Sequence, residues 1–172
     1  MISLLVLLAA TATSSPIPDH VPAEAIPNYR IVEPGLAAGG QPSAEALAKL
    51  KGLGFKTVIN LRPEDEAPVV ATEKKVVEAQ GLRYVSVPVT PGTFSAADVD
   101  RIVHALDDTG AAPVLLHCAS GNRVGAVWGV IMTRRGASLP QAEAEAKRVG
   151  LSSEAMVEAF RRVAAPSPST KP

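Results

Sequence analysis

The segment from Val114 to Met132 constrains the fold of this chain most strongly. Its order is an apolar run, then His117-Cys118-Ala119-Ser120-Gly121-Asn122-Arg123, then a long apolar stretch that begins at Val124. Such an order predicts a buried strand, a tight loop and a helix. Cys118, the only cysteine among 172 residues, is thereby placed on the loop at the N-terminus of the helix. Backbone N–H groups and the helix dipole converge there and stabilise an anion, either a bound oxyanion or the Cys118 thiolate itself.

The neighbours of Cys118 favour a nucleophile over a buried small hydrophobe. Gly121 permits a close approach of the backbone, and Arg123 supplies a fixed positive charge. His117 is expected either to hold the loop carbonyls so that the N–H groups point inward, or to be an ordinary core histidine. The backbone N–H groups predicted to bind an oxyanion are those of Ala119, Ser120, Gly121, Asn122 and Val124.

Strands and helices alternate along the rest of the chain. Strands are predicted at 29–38 (broken at Pro34-Gly35), 55–61, 82–87 and 113–117, and helices at 43–53, 69–80, 96–108, 123–135, 139–149 and 153–163. This alternation with short links predicts an α/β fold, in which helices flank a parallel sheet of four to five strands. The helix after the cysteine loop has almost no polar residue before Arg134, so it is expected to be buried beneath the loop.

The composition excludes several classes of function. Lysine plus arginine and aspartate plus glutamate each total 17, and aromatic residues make up 3% of the chain. A neutral chain with few aromatic side chains is not expected to bind nucleic acid. A single cysteine and three dispersed histidines predict no metal site and no internal disulfide, and nothing indicates a cofactor.

The two ends of the chain are predicted to lie outside the catalytic domain. Residues 1–12 form a short apolar run that ends in Ala10-Thr11-Ala12, as in a secretory signal peptide, although no lysine or arginine precedes the run. This predicts a periplasmic or secreted protein without a membrane span after processing. Residues 13–28 contain four prolines and are expected to be a linker, 29–164 the catalytic domain, and 165–172 a disordered tail.

The cysteine loop and three other segments, taken in order, resemble one family. The segments are Gly39-Gly40-Gln41-Pro42-Ser43, Thr57-Val58-Ile59-Asn60-Leu61-Arg62 and Tyr84-Val85-Ser86-Val87-Pro88. They resemble the phosphatase-like domain of β-lactamase-hydrolase-like proteins, which implies a fold like that of tyrosine and dual-specificity phosphatases. The loop itself departs from those phosphatases, because Val124 stands where they carry arginine. Its Cys-x-x-Gly-x-Arg spacing is similar to that of single-domain rhodaneses, which move sulfane sulfur.

The shortened loop bears on the reaction. The phosphatases that this chain resembles place an aspartic acid after the strand that here ends at Val87. The loop from Pro88 to Phe94 contains no carboxylate. Sulfur transfer needs no such acid, because sulfite or a thiolate leaves without protonation. We therefore expect sulfane-sulfur transfer through a Cys118 persulfide ahead of phosphomonoester hydrolysis through a phosphocysteine. A non-catalytic oxyanion-binding module and a redox sensor with an exposed thiol remain as alternatives.

Five further residues are candidates at the edge of the site. Glu64 and Asp65, with Glu66, lie on a neighbouring strand-end loop and could supply the missing acid. Gln41 and Arg62 could approach the site from strand ends. The simpler interpretation makes Gln41 a turn residue and pairs Arg62 with Glu64 or Glu66. The sequence names no protein partner, only a small oxyanion or sulfane-sulfur substrate.

Overall fold

The computed structural model describes residues 17–108 and 110–165. Its elements in chain order are β1 Arg30–Glu33, β2 Leu36–Gly39, α1 Ala44–Leu47, β3 Thr57–Asn60, α2 Pro68–Glu78, β4 Arg83–Ser86, α3 Ala96–Asp107, β5 Val114–His117, α4 Asn122–Arg134, α5 Leu139–Val149 and α6 Glu154–Ala164. Among these residues, no helix has the length and apolar character needed to cross a membrane. The predicted signal peptide lies outside the described residues, as does all of the predicted tail except Ala165.

The five strands form one sheet in the order β1-β2-β5-β3-β4. β2, β5, β3 and β4 are parallel, and β1 joins β2 as an antiparallel edge strand. The predicted parallel α/β sheet is confirmed, and the break at Pro34-Gly35 is the turn of the β1–β2 hairpin. The central strand is β5, so the loop that follows it begins in the middle of the sheet's carboxyl edge.

Helices cover both faces of the sheet, because alternate residues of the central strands are buried on opposite sides. Leu116 and Ile59 pack on the face that carries α3 to α6. Leu115 and Val58 pack on the face that carries α1 and α2. Cys118 belongs to the first of these clusters, whereas His117 points to the other face of the sheet.

Helix α1 is shorter than predicted. A helix was expected from Ser43 to about Leu53, but the helical residues end at Leu47 and turns continue to Gly54. Gln80 explains the difference, because its amide group takes the place of the next helical hydrogen bond. Its Nε2 donates to Leu47 O at 2.7 Å, and its Oε1 accepts from Lys51 N at 3.2 Å. A side chain inserted in this way ends the backbone ladder.

The segment before β1, which was expected to be a linker, packs against the domain. It has no helix or strand between residues 17 and 28, yet Ile17, Val21 and Ile26 are buried in the cluster beneath α1 and α2. The Tyr29 hydroxyl donates to Pro18 O at 2.8 Å. Burial of apolar side chains therefore holds this proline-rich segment against the domain.

Helix α4 lies at the centre of the helical layer, as its apolar sequence predicts. Val124 to Ile131 are all buried, and α5 and α6 pack against them. Two glycines permit this close approach. A Cβ at Gly125 would lie 2.4 Å from Leu151 N and 2.5 Å from Ala146 O, and a Cβ at Gly129 would lie 2.6 Å from a ring carbon of Phe160.

We expect Gly125→Ala to lower the free energy of unfolding by about 1–3 kcal/mol, as overpacking does elsewhere. The loss occurs although alanine is the better helix former, because the atoms in the way belong to the backbone of α5 and of Leu151. Urea denaturation would measure it. Gly92→Ala is the matched control, since nothing lies within 4 Å of a Cβ there. Equal stability of the two variants would contradict the expectation.

Candidate active site

The loop after β5 surrounds the Cys118 sulfur with backbone. Gly121 N donates to Cys118 Sγ at 3.1 Å, and Gly121 is the N-cap of α4 with a φ of 90°. This left-handed conformation is the one that glycine adopts at little cost, so the residue type and the loop shape agree. The Cys118 side chain is 0% exposed, whereas Ala119 and Ser120 are exposed. The thiol therefore lies beneath the loop, and a substrate reaches it as a small projecting group.

Each carbonyl of the loop is held from outside. The contacts are His117 Nδ1 with Cys118 O at 3.4 Å, Gln41 N with Ala119 O at 3.0 Å, Asn28 Nδ2 with Ser120 O at 2.9 Å and Gly125 N with Gly121 O at 2.9 Å. In a trans peptide the N–H points away from the carbonyl of the same unit. Carbonyls that turn outward therefore turn the N–H groups of Ala119 to Asn122 inward, and the Gly121 N–H to Sγ contact is one observed result.

Two glycines from other elements let the chain close around this loop. A Cβ at Gly40, beyond the end of β2, would lie 2.8 Å from Ala119 O. A Cβ at Gly150, at the end of α5, would lie 2.9 Å from Gly121 O. The loop is thus enclosed by backbone on two sides, which the residue pattern around Cys118 does not reveal.

Arg123 is fixed by a carboxylate from the loop after β3. Its Nη1 and Nη2 donate to Glu66 Oε2 at 2.5 Å and Oε1 at 2.8 Å, and Nη1 also donates to Val89 O at 3.3 Å. Burial lowers the pKa of Arg123, but Glu66 and the nearby Cys118 sulfur outweigh it and raise the pKa above its ordinary value. The guanidinium is therefore a permanent charge, and Cys118 is close enough to contribute to that pKa.

Glu66 is the carboxylate that reaches the site, and its lowered pKa favours the deprotonated form. Its hydrogen bonds from Arg123 hold its pKa below the ordinary value against the opposing effect of burial, and Arg62 Nε, at 2.8 Å, adds to this. Stability from a lowered carboxyl pKa is present at neutral pH and is lost only as the pH falls through that pKa. A carboxyl held ionised in this way does not donate a proton to a leaving group.

Gln41 and Arg62 both join the site. Arg62 pairs with Glu66, as the simpler interpretation had it, and its Nη1 also donates to Gln41 Oε1 at 2.7 Å. Gln41 is more than a turn residue, because its Nε2 donates to Glu73 Oε2 at 2.8 Å. The two residues therefore connect Glu66, which holds Arg123, with Glu73 of α2.

Glu73 of α2 is the residue that sequence reasoning missed. It is 0% exposed, and its Oε1 lies 2.6 Å from His117 Nε2. The available signal was its position on the helix, because the buried residues of α2 are Val70, Glu73 and Val77. A carboxylate at the apolar spacing of a helix indicates a buried polar partner.

The other predicted residues are placed as follows. Asn122 anchors the loop to α6, since its Oδ1 accepts from Ser152 N at 2.8 Å and its Nδ2 donates to Ser153 Oγ at 2.7 Å. The Val124 side chain is buried in the core, so only its backbone can contribute to the loop. Glu64 is exposed at the outer edge of the sheet, beside a cavity of about 250 Å³ that Lys74, Tyr84 and Ser86 also line, and Asp65 is exposed.

Comparison with known proteins agrees with this architecture. Residues 28–134 match the family described as beta-lactamase hydrolase-like protein, phosphatase-like domain. The chain belongs to this family. The match contains the hairpin, the parallel strands and the cysteine loop, and it ends at the last residue of α4. The resemblance inferred from the sequence is therefore confirmed.

Individual relatives of the phosphatase-like domain are similar over part of the chain. Beta-lactamase hydrolase-like proteins of Xylella fastidiosa and Agrobacterium fabrum are 34% and 33% identical over 91 residues, which is 51% of this chain. The aligned region spans only 21% of each of these curated relatives, about a fifth of their length.

Solved structures show the same fold. The catalytic core of the PP-IP phosphatase Siw14 from S. cerevisiae has a TM-score of 0.65 at 18% identity and covers 79% of this chain and 85% of its own. TpbA of P. aeruginosa has a TM-score of 0.61 at 22% identity, with 80% and 83% covered. The predicted tyrosine/dual-specificity-phosphatase-like fold is confirmed.

Proposed function

We propose that this phosphatase-like domain transfers sulfane sulfur through a persulfide on Cys118. The thiolate attacks the outer sulfur of a persulfide, a polysulfide or thiosulfate, and the donor's S–S bond breaks to release a thiolate or sulfite. A new S–S bond then joins Cys118 to the transferred sulfur. An acceptor thiolate or cyanide attacks that sulfur and returns Cys118 to its thiolate form, so no external oxidant or reductant is consumed.

The observation that carries this proposal is the state of Glu66. Phosphomonoester hydrolysis needs an acid for the leaving alkoxide, and Glu66 is the carboxylate that contacts Arg123. Two arginines hold its pKa low, and the loop from Pro88 to Phe94 has no carboxylate of its own. Sulfite and thiolates leave as anions, so sulfur transfer proceeds with the groups that are present.

The buried thiol supports the same choice. Sγ is enclosed by the loop, with the Gly121 N–H directed at it. A single sulfur atom is smaller than a phosphoryl group, and it suits a ring of N–H groups that is one residue shorter than the phosphatase loop. Arg123 would stabilise the charge of the persulfide or of a sulfonate on the donor.

Phosphomonoester hydrolysis is the second candidate, and the family favours it. The chain belongs to a phosphatase-like family, and its fold is that of tyrosine phosphatases. In this case Cys118 would form a phosphocysteine, and Glu64 or Asp65 would have to provide the acid. The redox-sensor alternative assumed an exposed thiol, whereas the Cys118 side chain is buried.

The test compares the two reactions on one preparation. After incubation with thiosulfate or a small-molecule persulfide, we expect intact-mass measurement to show one added sulfur on the wild type, lost again on addition of cyanide. Aryl-phosphate turnover should be at least about a hundredfold slower than that of a phosphatase with its acid in place, the lower end of what a positioned acid contributes. A protein that never carries extra sulfur and hydrolyses aryl phosphates with an acid-dependent pH profile would overturn the proposal.

A further inference from the structure

Glu73 is a buried carboxylate with three side-chain hydrogen-bond partners. His117 Nε2 lies 2.6 Å from Oε1, while Gln41 Nε2 at 2.8 Å and Asn60 Nδ2 at 3.4 Å donate to Oε2. All of this occurs at 0% exposure. An isolated buried carboxylate is costly, and these contacts give both of its oxygens hydrogen-bond partners.

The other side of the His117 ring contacts the cysteine loop. Its Nδ1 lies 3.4 Å from Cys118 O, and a carbonyl oxygen only accepts hydrogen bonds. Nδ1 is therefore the donor in this contact. The contact of Nε2 with Glu73 Oε1 at 2.6 Å fixes the ring from its other side, so the orientation of the ring is set by Glu73 and by the Cys118 carbonyl together.

The groups that face this pair are polar and mostly neutral. Asn60 Nδ2 also contacts Tyr84 OH at 2.9 Å, and burial raises the pKa of Tyr84 to about 12, so this phenol stays neutral at physiological pH. Arg62 reaches the pair through Gln41, and Arg123 lies close enough to Cys118 for the sulfur to raise the pKa of Arg123. The polar groups around Glu73 thus connect His117 with the arginines of the site.

We propose that Glu73 is a positioning residue that fixes the orientation of the His117 ring, so that the ring holds the Cys118 carbonyl outward and the Ala119 N–H of the same peptide unit is directed inward, where it stabilises the Cys118 thiolate. The proposal rests on the proposed function only in taking Cys118 as the nucleophile. It applies equally to sulfur transfer and to phosphate hydrolysis. Its test measures ionisation of the thiol without turnover, so its failure is distinguishable from failure of the sulfur-transfer proposal.

The experiment is an ultraviolet titration of the thiolate in the full chain. Cys118 is the only cysteine, so the absorbance difference between each protein and its Cys118→Ser version reports one group. In Glu73→Gln the side chain keeps its size, but a neutral amide replaces the carboxyl group and forms a weaker contact with His117 Nε2. We expect the midpoint of thiolate formation to rise by at least about half a pH unit.

Asp98→Asn is the matched control, because Asp98 is also a buried carboxylate, but its hydrogen bonds are to Ser95 and Arg101 of α3 and not to His117 or the cysteine loop. It should destabilise the protein and leave the thiolate midpoint unchanged. Glu73→Asp, which withdraws the carboxylate by one methylene, is the second variant and should shift the midpoint in the same direction by less. A wild-type midpoint in either folded Glu73 variant, or an equal shift in Asp98→Asn, would refute the role of Glu73.

Discussion

Replacing Cys118 with serine is expected to lower the rate of sulfur transfer at least about a thousandfold, a loss of about 4 kcal/mol of transition-state stabilisation. The hydroxyl cannot form a persulfide, and it is a far weaker nucleophile at neutral pH. The fold should persist, since serine is close to cysteine in size and its oxygen can still accept the Gly121 N–H. Thiosulfate:cyanide assays and intact-mass measurement of the persulfide would show both effects.

Ser120→Ala is the control for this change. Ser120 is exposed on the same loop, and the contact that holds it uses its backbone oxygen. The alanine variant should retain transfer activity within a few-fold, because the carbonyl that Asn28 holds is unchanged. A Cys118→Ser protein that keeps more than about a hundredth of wild-type activity would show that Cys118 is not the nucleophile.

Inserting one glycine between Asn122 and Arg123 is expected to abolish sulfur transfer and to favour the binding of phosphate. The insertion restores the phosphatase spacing by lengthening the loop. A substitution at 124 could not do so, because the Val124 side chain faces the core. We expect the persulfide to be lost and vanadate or phosphate affinity to rise at least about tenfold, which corresponds to about 1.4 kcal/mol. Calorimetric titration with vanadate and intact-mass measurement would follow the exchange.

The same variant allows the missing acid to be supplied. Arg123 contacts Val89 O, so residue 90 stands at the margin of the site. Adding Thr90→Asp to the insertion should raise alkyl-phosphate hydrolysis by about a hundredfold or more. A glycine inserted after Gly92, in the exposed turn, is the control and should leave persulfide formation intact. If the variant with the longer loop still forms the persulfide and binds vanadate no better, loop length does not select the reaction.

Local sequence patterns predicted most of the helices and strands, because helix caps and turns depend on residues that lie a few positions apart. Ser95 and Asp98 form the capping box that begins α3, and Gly81 follows α2 in the left-handed conformation. The alternation of strands and helices predicted a parallel sheet with helices on both faces. The failure at α1 came from Gln80, which is distant in sequence and interrupts the helix at Leu47. Such an interaction leaves no trace in the residues that it affects.

The sequence by itself determined the class of fold, the position of the thiol and the shortness of its loop, because each depends on residue order over a few positions. Only the tertiary structure decided what surrounds the thiol. It brought Glu66 onto Arg123, which removed the nearest carboxyl as an acid, and it placed Glu73 behind His117. These pairs join residues 57 and 44 positions apart, and whether a carboxylate is an acid, a clamp or a positioning group depends on the groups that folding brings beside it.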